Sequence, residues 1–401
     1  MIYLDHNATT PVPPEVFEAM KPYFTERWGN PSSAYRFGAE LKGTIEIARS
    51  QVAALLGARP SELIFTGNAT EANNAAIHAA LKANPTKRHI ITSQVEHSSV
   101  LNYCMALEKE GVRVTYLAVD REGLLNLADL EAAISDDTAV ASLMWANNET
   151  GVLFPVEEIA QTCRSRGVLF HCDAVQAVGK LPVDVSKLPI DYLSLTGHKL
   201  GAPKGIGALY VSRKAPFSPY LHGGHQERGR RGGTENVALI VGLGVAAELA
   251  LKQLPDYDRT VRPLRDALEA GIFGEPERRF PIRHEGNESA AHSGSETGAP
   301  LPNTELNGHP TQRLANTINL TFHGIESEAL LLLLDREGIC ASSGSACLAD
   351  SDEPSHVIKA MKPASSASRQ MIRFSLGTEN TRREIESAIA AVRQAVGALQ
   401  A

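Results

Sequence analysis

The sequence predicts an α/β fold, with a large domain built on a mostly parallel sheet covered by helices and a smaller α+β domain formed by the C-terminal part and the N-terminal segment. Three observations lead there. Short apolar runs alternate with helical stretches, the signature of a parallel sheet with helical crossovers. The alternation changes character at Pro255. Charged, amide or hydroxyl residues follow several of the apolar runs, where open α/β sheets place their ligands.

Taken in order, 41–56 reads as a helix, 63–66 (LIFT) as a strand, 67–70 (GNAT) as a tight turn and 71–77 as the opening of a helix that continues over 72–81. Ile90-Ile91 and the residues up to Met144 mark two further apolar segments, with helical stretches at 101–110, 127–134 and 156–166. Residues 168–170 (VLF) and 191–195 (DYLSL) read as buried strands. The large domain is expected at 15–255, and residues 1–14 with 256–401 are expected to form the small domain. In the latter, a helix to about 273, strands around 317–320 and 370–374, a helix over 327–334 and a helix from 382 are expected. Residues 285–307 are rich in Gly, Ser, Glu, Asn and Pro, which predicts a surface loop, a partner contact being one role open to it. No internal repeat is evident.

A chain of 401 residues can bury two cores, and its net charge of −7 argues against general nucleic-acid binding. The basic cluster Arg228-Gly229-Arg230-Arg231 stands before Gly232-Gly233-Thr234, a setting that favours a glycine-rich loop near a phosphate over a solvated turn. Five cysteines, no signal-peptide pattern and no long apolar run predict a reduced, cytoplasmic protein without a membrane span. Cys104, Cys163 and Cys340 read as small core residues. Cys172 lies between His171 and Asp173, but no CxxC or HExxH accompanies it, so no intrinsic metal is expected.

The chemistry concentrates after the strands. Asp173 closes one apolar run, where a carboxylate can keep a pyridinium nitrogen protonated, and Gln176 can donate to a ring hydroxyl. Lys199 follows the next run in Thr196-Gly197-His198-Lys199; a lysine amine joins an aldehyde when its neutral form is accessible. On these residues alone an Asp–Lys salt bridge is an equal reading. The turn at Ala69-Thr70 adds a helix N-terminus with a hydroxyl, a ready anion site, although plain capping by Thr70 or Asn68 explains it too. His97 and the amide of Asn148 follow two other apolar segments. Far downstream, Cys347 sits in Ser-Ser-Gly-Ser-Ala-Cys, a small-residue, polar loop suited to a mobile nucleophile.

In this order the motifs resemble the cysteine desulfurases of the NifS/IscS type, a branch of the fold type I pyridoxal 5'-phosphate (PLP) enzymes in the class V aminotransferase group. The matching stretches are Tyr3-Leu4-Asp5-His6-Asn7-Ala8-Thr9-Thr10-Pro11, Gly29-Asn30-Pro31-Ser32-Ser33, the Thr70 turn, Glu96-His97 and Asn147-Asn148-Glu149-Thr150-Gly151. They continue through His171-Cys172-Asp173-Ala174-Val175-Gln176, Gly197-His198-Lys199, Arg231-Gly232-Gly233-Thr234-Glu235-Asn236, the Cys347 loop and Arg373-Phe374-Ser375-Leu376-Gly377. The resemblance implies that Lys199 joins the PLP aldehyde, Asp173 pairs with the ring nitrogen, Gln176 meets the ring oxygen and His97 stacks on the ring and moves protons. It further implies that Ala69, Thr70, Thr196, Gly197 and His198 hold the phosphate, that Asn148 lines the ring and substrate site, and that Arg373 clamps the substrate carboxylate. Thr234 would reach the phosphate across a homodimer interface.

The implied reaction takes L-cysteine to L-alanine, with the sulfur carried as a persulfide on Cys347 to an iron–sulfur scaffold or other acceptor protein, and with Cys347 as a transient cluster ligand. The acidic residues Asp350, Asp352 and Glu353 would raise its thiol pKa, so activation is expected from the docked site. A selenocysteine lyase, or another PLP-dependent lyase or aminotransferase, shares the ring contacts but not the dependence on Cys347. A sulfur-carrier or scaffold partner without catalysis has no use for the full set Lys199, Asp173, His97 and Arg373. Two departures from the family are a threonine at 196 where serine is common, and a longer stretch at 284–313.

Overall fold

The computed structural model describes residues 1–273, 301–344 and 354–400. Cys347 and most of the expected loop at 285–307 lie outside these residues. The chain divides into two units, one of Thr9–Asn148 with Val152–Asp256 and one of Met1–Ala8, Glu149–Gly151 and Tyr257–Ala401. The division follows the expected boundary at 255 to within one residue, with Asp256 in the first unit, and differs from the sequence reading at two longer segments. Residues 9–14 side with the first unit, where Thr10 N and Oγ1 donate to the His198 carbonyl and Gly201 N donates to Thr10 Oγ1. Glu149–Gly151 side with the second, where Leu314 N donates to the Gly151 carbonyl and Asn319 Nδ2 to the Glu149 carbonyl.

Twelve strands are present among the described residues: β1 (Ile2–Tyr3), β2 (Leu63–Thr66), β3 (His89–Ser93), β4 (Arg113–Leu117), β5 (Thr138–Met144), β6 (Leu169–Asp173), β7 (Tyr192–Thr196), β8 (Gly207–Val211), β9 (Thr304–Leu306), β10 (Thr317–Phe322), β11 (Ile339–Cys340) and β12 (Met371–Ser375). The first unit is built on a seven-stranded sheet in the order β2-β8-β7-β6-β5-β3-β4. β8 runs antiparallel to both neighbours and all other pairings are parallel, so β2 to β7 point the same way. Strands buried on both faces must be apolar throughout, and β2 and β5 are buried at every position.

Helix Ala69–Ala83 crosses this sheet with Ala72, Ala75, Ala76, Ala79 and Ala80 inward, small side chains that let its backbone approach Ile64, Ile90, Val140 and Tyr192. Its N-terminus is capped by Asn68, whose Oδ1 accepts from Glu71 N at 2.9 Å. Helix Val237–Phe273 continues through Pro255 and Pro263. By length and composition it could cross a membrane, yet its apolar residues include core positions: Ile240, Leu243, Ala246 and Ala247 in the first unit, and Val261, Leu268 and Ile272 in the second.

The second unit holds the sheet β12-β10-β9, antiparallel throughout, and the parallel pair β1-β11. Helices Ser327–Arg336 and Arg382–Gln400 close over it, burying Leu330, Leu334, Ile385 and Val392 against Ile318, Leu320, Phe322, Ile372 and Phe374. The end of the expected loop is in fact ordered as β9, because Leu306 packs on this core and the buried Asn307 donates to Asn319 Oδ1 and Thr321 Oγ1.

A buried ion pair anchors the segment after the sheet. Glu227 (φ 46°) and Arg228 (φ 60°) both adopt left-handed backbone, costly for residues with a Cβ. Arg49 clamps Glu227 with Nη1 to Oε2 at 2.6 Å and Nη2 to Oε1 at 2.8 Å, while Phe65 N donates to Oε2 at 3.0 Å. Arg49→Met strands the Glu227 carboxylate in the interior, so we expect about 3–5 kcal/mol lost stability, read as a lower urea midpoint. An unchanged midpoint would show that the pair contributes nothing net.

Candidate active site

Five parallel strands bring their C-terminal ends to one edge of the large sheet, and each ends in a residue singled out above. β2 leads through Gly67-Asn68 into the first turn of helix Ala69–Ala83, placing Ala69 and Thr70 at a positively polarised helix N-terminus. β3 leads to His97, which caps helix Ser98–Lys109; β5 leads to Asn148; β6 ends on Asp173; β7 ends on Thr196, and the turn Gly197–Lys199 follows. β5, β6 and β7 are adjacent, with Met144 opposite Asp173 and Asp173 opposite Ser194. The register sets Asp173 two residues from the level of Thr196.

Asp173 is 6% exposed and held by donors on both oxygens: Val175 N to Oδ1 at 3.1 Å and Asn73 Nδ2 to Oδ2 at 2.7 Å. These bonds fix the orientation of the carboxylate that would face a ring nitrogen. Gln176 Oε1 accepts from Lys180 Nζ at 2.6 Å, which sets Nε2 as the donor end of the amide. Gly197 allows a close approach that a side chain forbids: a Cβ there would lie 2.8 Å from Ile206 Cγ2 and 2.9 Å from Ala202 Cβ. Gly197 N donates to the Ile206 carbonyl, as Thr196 Oγ1 does at 3.3 Å, and His198 Nδ1 lies 3.3 Å from Thr9 Oγ1.

Burial, with Lys199, Lys204 and His97 nearby, pushes His198 down to about 4. Cationic surroundings that penalise a charged imidazole are the ones that attract a phosphate. Cys172 is pushed well up by burial and by Asp173 and Glu96, so its thiol stays protonated. His171 is pushed down to about 3 by burial and lies between Ser142 Oγ (2.8 Å) and Ser194 Oγ (2.9 Å), a neutral core residue. Among the described residues no group of three or more His, Cys, Asp or Glu could hold a metal.

Burial also raises Glu96 to about 8, although Ser93 Oγ and Met144 N donate to its Oε1. Its folded pKa lies above the unfolded value of 4.5, so the proton stabilises the fold fully below pH 4.5, and the gain is lost as pH rises towards 8. Glu96→Gln, which keeps the acceptor, should therefore gain on the wild type across that window. Unfolding midpoints of both proteins at several pH values check this; a constant difference would contradict it.

The basic cluster is committed to local contacts. Arg228 pairs with Glu46, Arg230 donates to the Ser61 and Leu63 carbonyls, and Arg231 binds Glu71 through Nε and Nη2 at 2.9 and 3.2 Å. Glu71 Oε2 also accepts from Gly67 N, so the Gly232-Gly233-Thr234 loop is tied to the anion turn, with a cavity of about 210 Å³ between them. Thr234 is exposed.

In the other unit, Arg373 lies on β12 opposite Asn319 and is 1% exposed. Its Nη2 donates to Asp5 Oδ1 at 2.6 Å, and Ser342 Oγ donates to Asp5 Oδ2 at 2.8 Å. Asp5 thus fixes the guanidinium, a role its place in the N-terminal motif did not reveal. Sequence reasoning also missed Asn73, Ser99 and Lys180; the one available signal was a polar residue, Asn73, inside an alanine-rich helix.

The family model for aminotransferase class-V matches residues 2–272 and 279–387. The chain is 52% identical to cysteine desulfurase 2 of Trichormus variabilis, over 97% of this chain and 91% of that one. It is 48% identical to the cysteine desulfurase NifS of Azotobacter vinelandii, over 100% of this chain and 93% of the relative. A solved NifS-like protein superposes with a TM-score of 0.85 at 33% identity, covering 100% of this chain and 99% of the other.

Proposed function

Because this chain belongs to the aminotransferase class-V family, we propose a division of labour among its residues for a PLP-dependent cysteine desulfurase. The enzyme acts on L-cysteine. The observation that carries the assignment of residues is the convergence, at the ends of five parallel strands, of a helix N-terminus, a doubly hydrogen-bonded carboxylate and a lysine.

The donor set fits the cofactor: Ala69, Thr70, Thr196 and His198 would hold a phosphate, Asp173 a protonated ring nitrogen and Gln176 a ring oxygen. When bound, PLP supplies an aldehyde that joins an amino group and a ring that stores the electron pair released at the substrate α-carbon. Lys199 Nζ would attach to the aldehyde and, once released, would take the substrate α-proton. Asp173 would face the ring nitrogen. Arg373 binds the substrate carboxylate through its guanidinium fork. The Cys347 thiolate would attack the substrate sulfur: an S–S bond forms, the substrate C–S bond breaks with its electron pair left on carbon, and a proton on that carbon together with return of the α-proton completes alanine.

The persulfide on Cys347 then passes to an acceptor, and the NifS-named relative supports an iron–sulfur scaffold as that acceptor. The exposed Thr234, beside the anion turn, supports a homodimer in which it completes a partner's phosphate site. The test is product analysis with L-cysteine and a thiol reductant: alanine and sulfide are expected in equal amounts, whereas a keto acid would indicate an aminotransferase and a strict preference for selenocysteine a lyase.

A further inference from the structure

A hydrogen-bonded chain, buried in the large unit, links the ring-nitrogen partner to the histidine. Asn73 is fully buried, and its Nδ2 lies 2.7 Å from Asp173 Oδ2 and 2.9 Å from Ser99 Oγ. Ser99 Oγ lies in turn 2.8 Å from His97 Nδ1, and Ser99 N donates to the same nitrogen at 3.1 Å. We propose that Asn73 is a positioning residue that ties Asp173 to His97 through Ser99, in a chain that makes His97 Nδ1 an acceptor and leaves Nε2 as the nitrogen that carries the ring proton.

The direction of each bond follows from chemistry. The Asp173 carboxylate oxygen accepts, so the amide turns Nδ2 towards it; the flipped amide would set Oδ1 against the carboxylate. The second Nδ2 hydrogen then reaches Ser99 Oγ, whose own proton goes to His97 Nδ1. A backbone N–H can only donate, so Ser99 N independently makes Nδ1 an acceptor. With Nδ1 so occupied, the proton of the neutral ring sits on Nε2, and any proton that His97 gives or takes passes there. A change at Asp173 is felt at His97 two hydrogen bonds away from Asn73, although the two residues come from different strand ends. The functional meaning rests on the PLP reading above; the bond directions do not.

The test is ¹⁵N NMR of the full-length enzyme as purified, labelled at histidine, with the His97 signals assigned by their loss in His97→Gln. Wild type should show a proton bonded to Nε2 and an unprotonated Nδ1. Asn73→Ala removes the hydrogen bonds to Asp173 and Ser99, and it should move the Nδ1 resonance; in a Ser99→Ala background, where the chain is already cut, it should move it no further. It should also lower kcat about tenfold with KM within about twofold. A proton found on Nδ1, an Nδ1 resonance indifferent to Asn73→Ala, or an equal shift with and without the Ser99 hydroxyl overturns the proposal. If Asn73→Ala fails to fold, Asn73→Ser, whose single hydroxyl can serve only one of the two partners, gives the same comparison. Colourless protein without sulfide production would overturn the PLP reading, while the His97 pattern is read regardless.

Discussion

Lys199→Ala should abolish sulfide release from L-cysteine, lowering kcat by about three orders of magnitude or more, while the protein still folds and still binds PLP. In the proposed mechanism the lysine has two tasks, attachment of the cofactor and transfer of the α-proton, and Lys180 and Lys204 are not placed to take over both. Lys180 is committed to Gln176 at 2.6 Å, and Lys204 lies beyond Gly201 in the following turn. Folding should survive because Lys199 is half-buried at a turn whose geometry comes from Gly197 and the Gly197–Ile206 backbone bond rather than from the lysine. The anion turn, Asp173 and Gln176 remain, so PLP should bind but be removable by dialysis. Dialysis followed by absorbance and activity assays checks all three points; a variant that keeps wild-type turnover would remove Lys199 from the mechanism.

Cys347→Ala should behave differently, retaining a full complement of covalently held PLP and losing sulfide production by a comparable factor. Without a thiolate, nothing takes the substrate sulfur, while every contact assigned to the ring stays in place. The four other cysteines do not substitute. Burial pushes Cys104 and Cys163 up to about 12 and holds Cys172 well above the ordinary thiol value, and Cys340 is raised by partial burial with Asp335 and Asp5 beside it. None is a ready thiolate near neutral pH. Mass spectrometry of the wild type after brief exposure to cysteine should find one extra sulfur on the peptide carrying residue 347. Full activity in Cys347→Ala would replace sulfur transfer with direct elimination, as in a lyase.

The parts legible in the sequence were those in which local pattern and tertiary role coincide. Runs such as 63–66, 168–170 and 191–195 are apolar because both faces of their strands are buried, so β2, β6 and β7 could be read directly. β4 escaped because it is an edge strand: Arg113 is exposed and only Leu117 is buried, which leaves no apolar run to see. β8 could be placed in the sheet only by its pairing, since nothing in residues 207–211 declares a reversed direction. Pro255 read as a domain boundary, and the two units do divide between Asp256 and Tyr257, but helix Val237–Phe273 runs on through it; burial of Val261, Leu268 and Ile272 outweighs the missing backbone donor.

The site divides in the same way. Asp173 and Lys199 stand out because an ionisable residue directly after an apolar run demands an explanation. Asn73 and Asp173 are 100 positions apart, and Asp5 and Arg373 are 368 apart, so their pairing exists only in the folded chain. Ser99 is equally silent in sequence, being one of two serines that open a helix. What could be read was which side chains to propose as reacting groups; the contacts that hold them in position had to be seen.

Reduction of the enzyme as purified with borohydride, followed by peptide mapping, tests the central claim most directly. Borohydride fixes the cofactor to whichever amine carries it. The account predicts one pyridoxyl group per chain, on the peptide containing Lys199. Attachment at Lys180, Lys204 or any other lysine, or no attachment in a protein that still releases sulfide from cysteine, would contradict it.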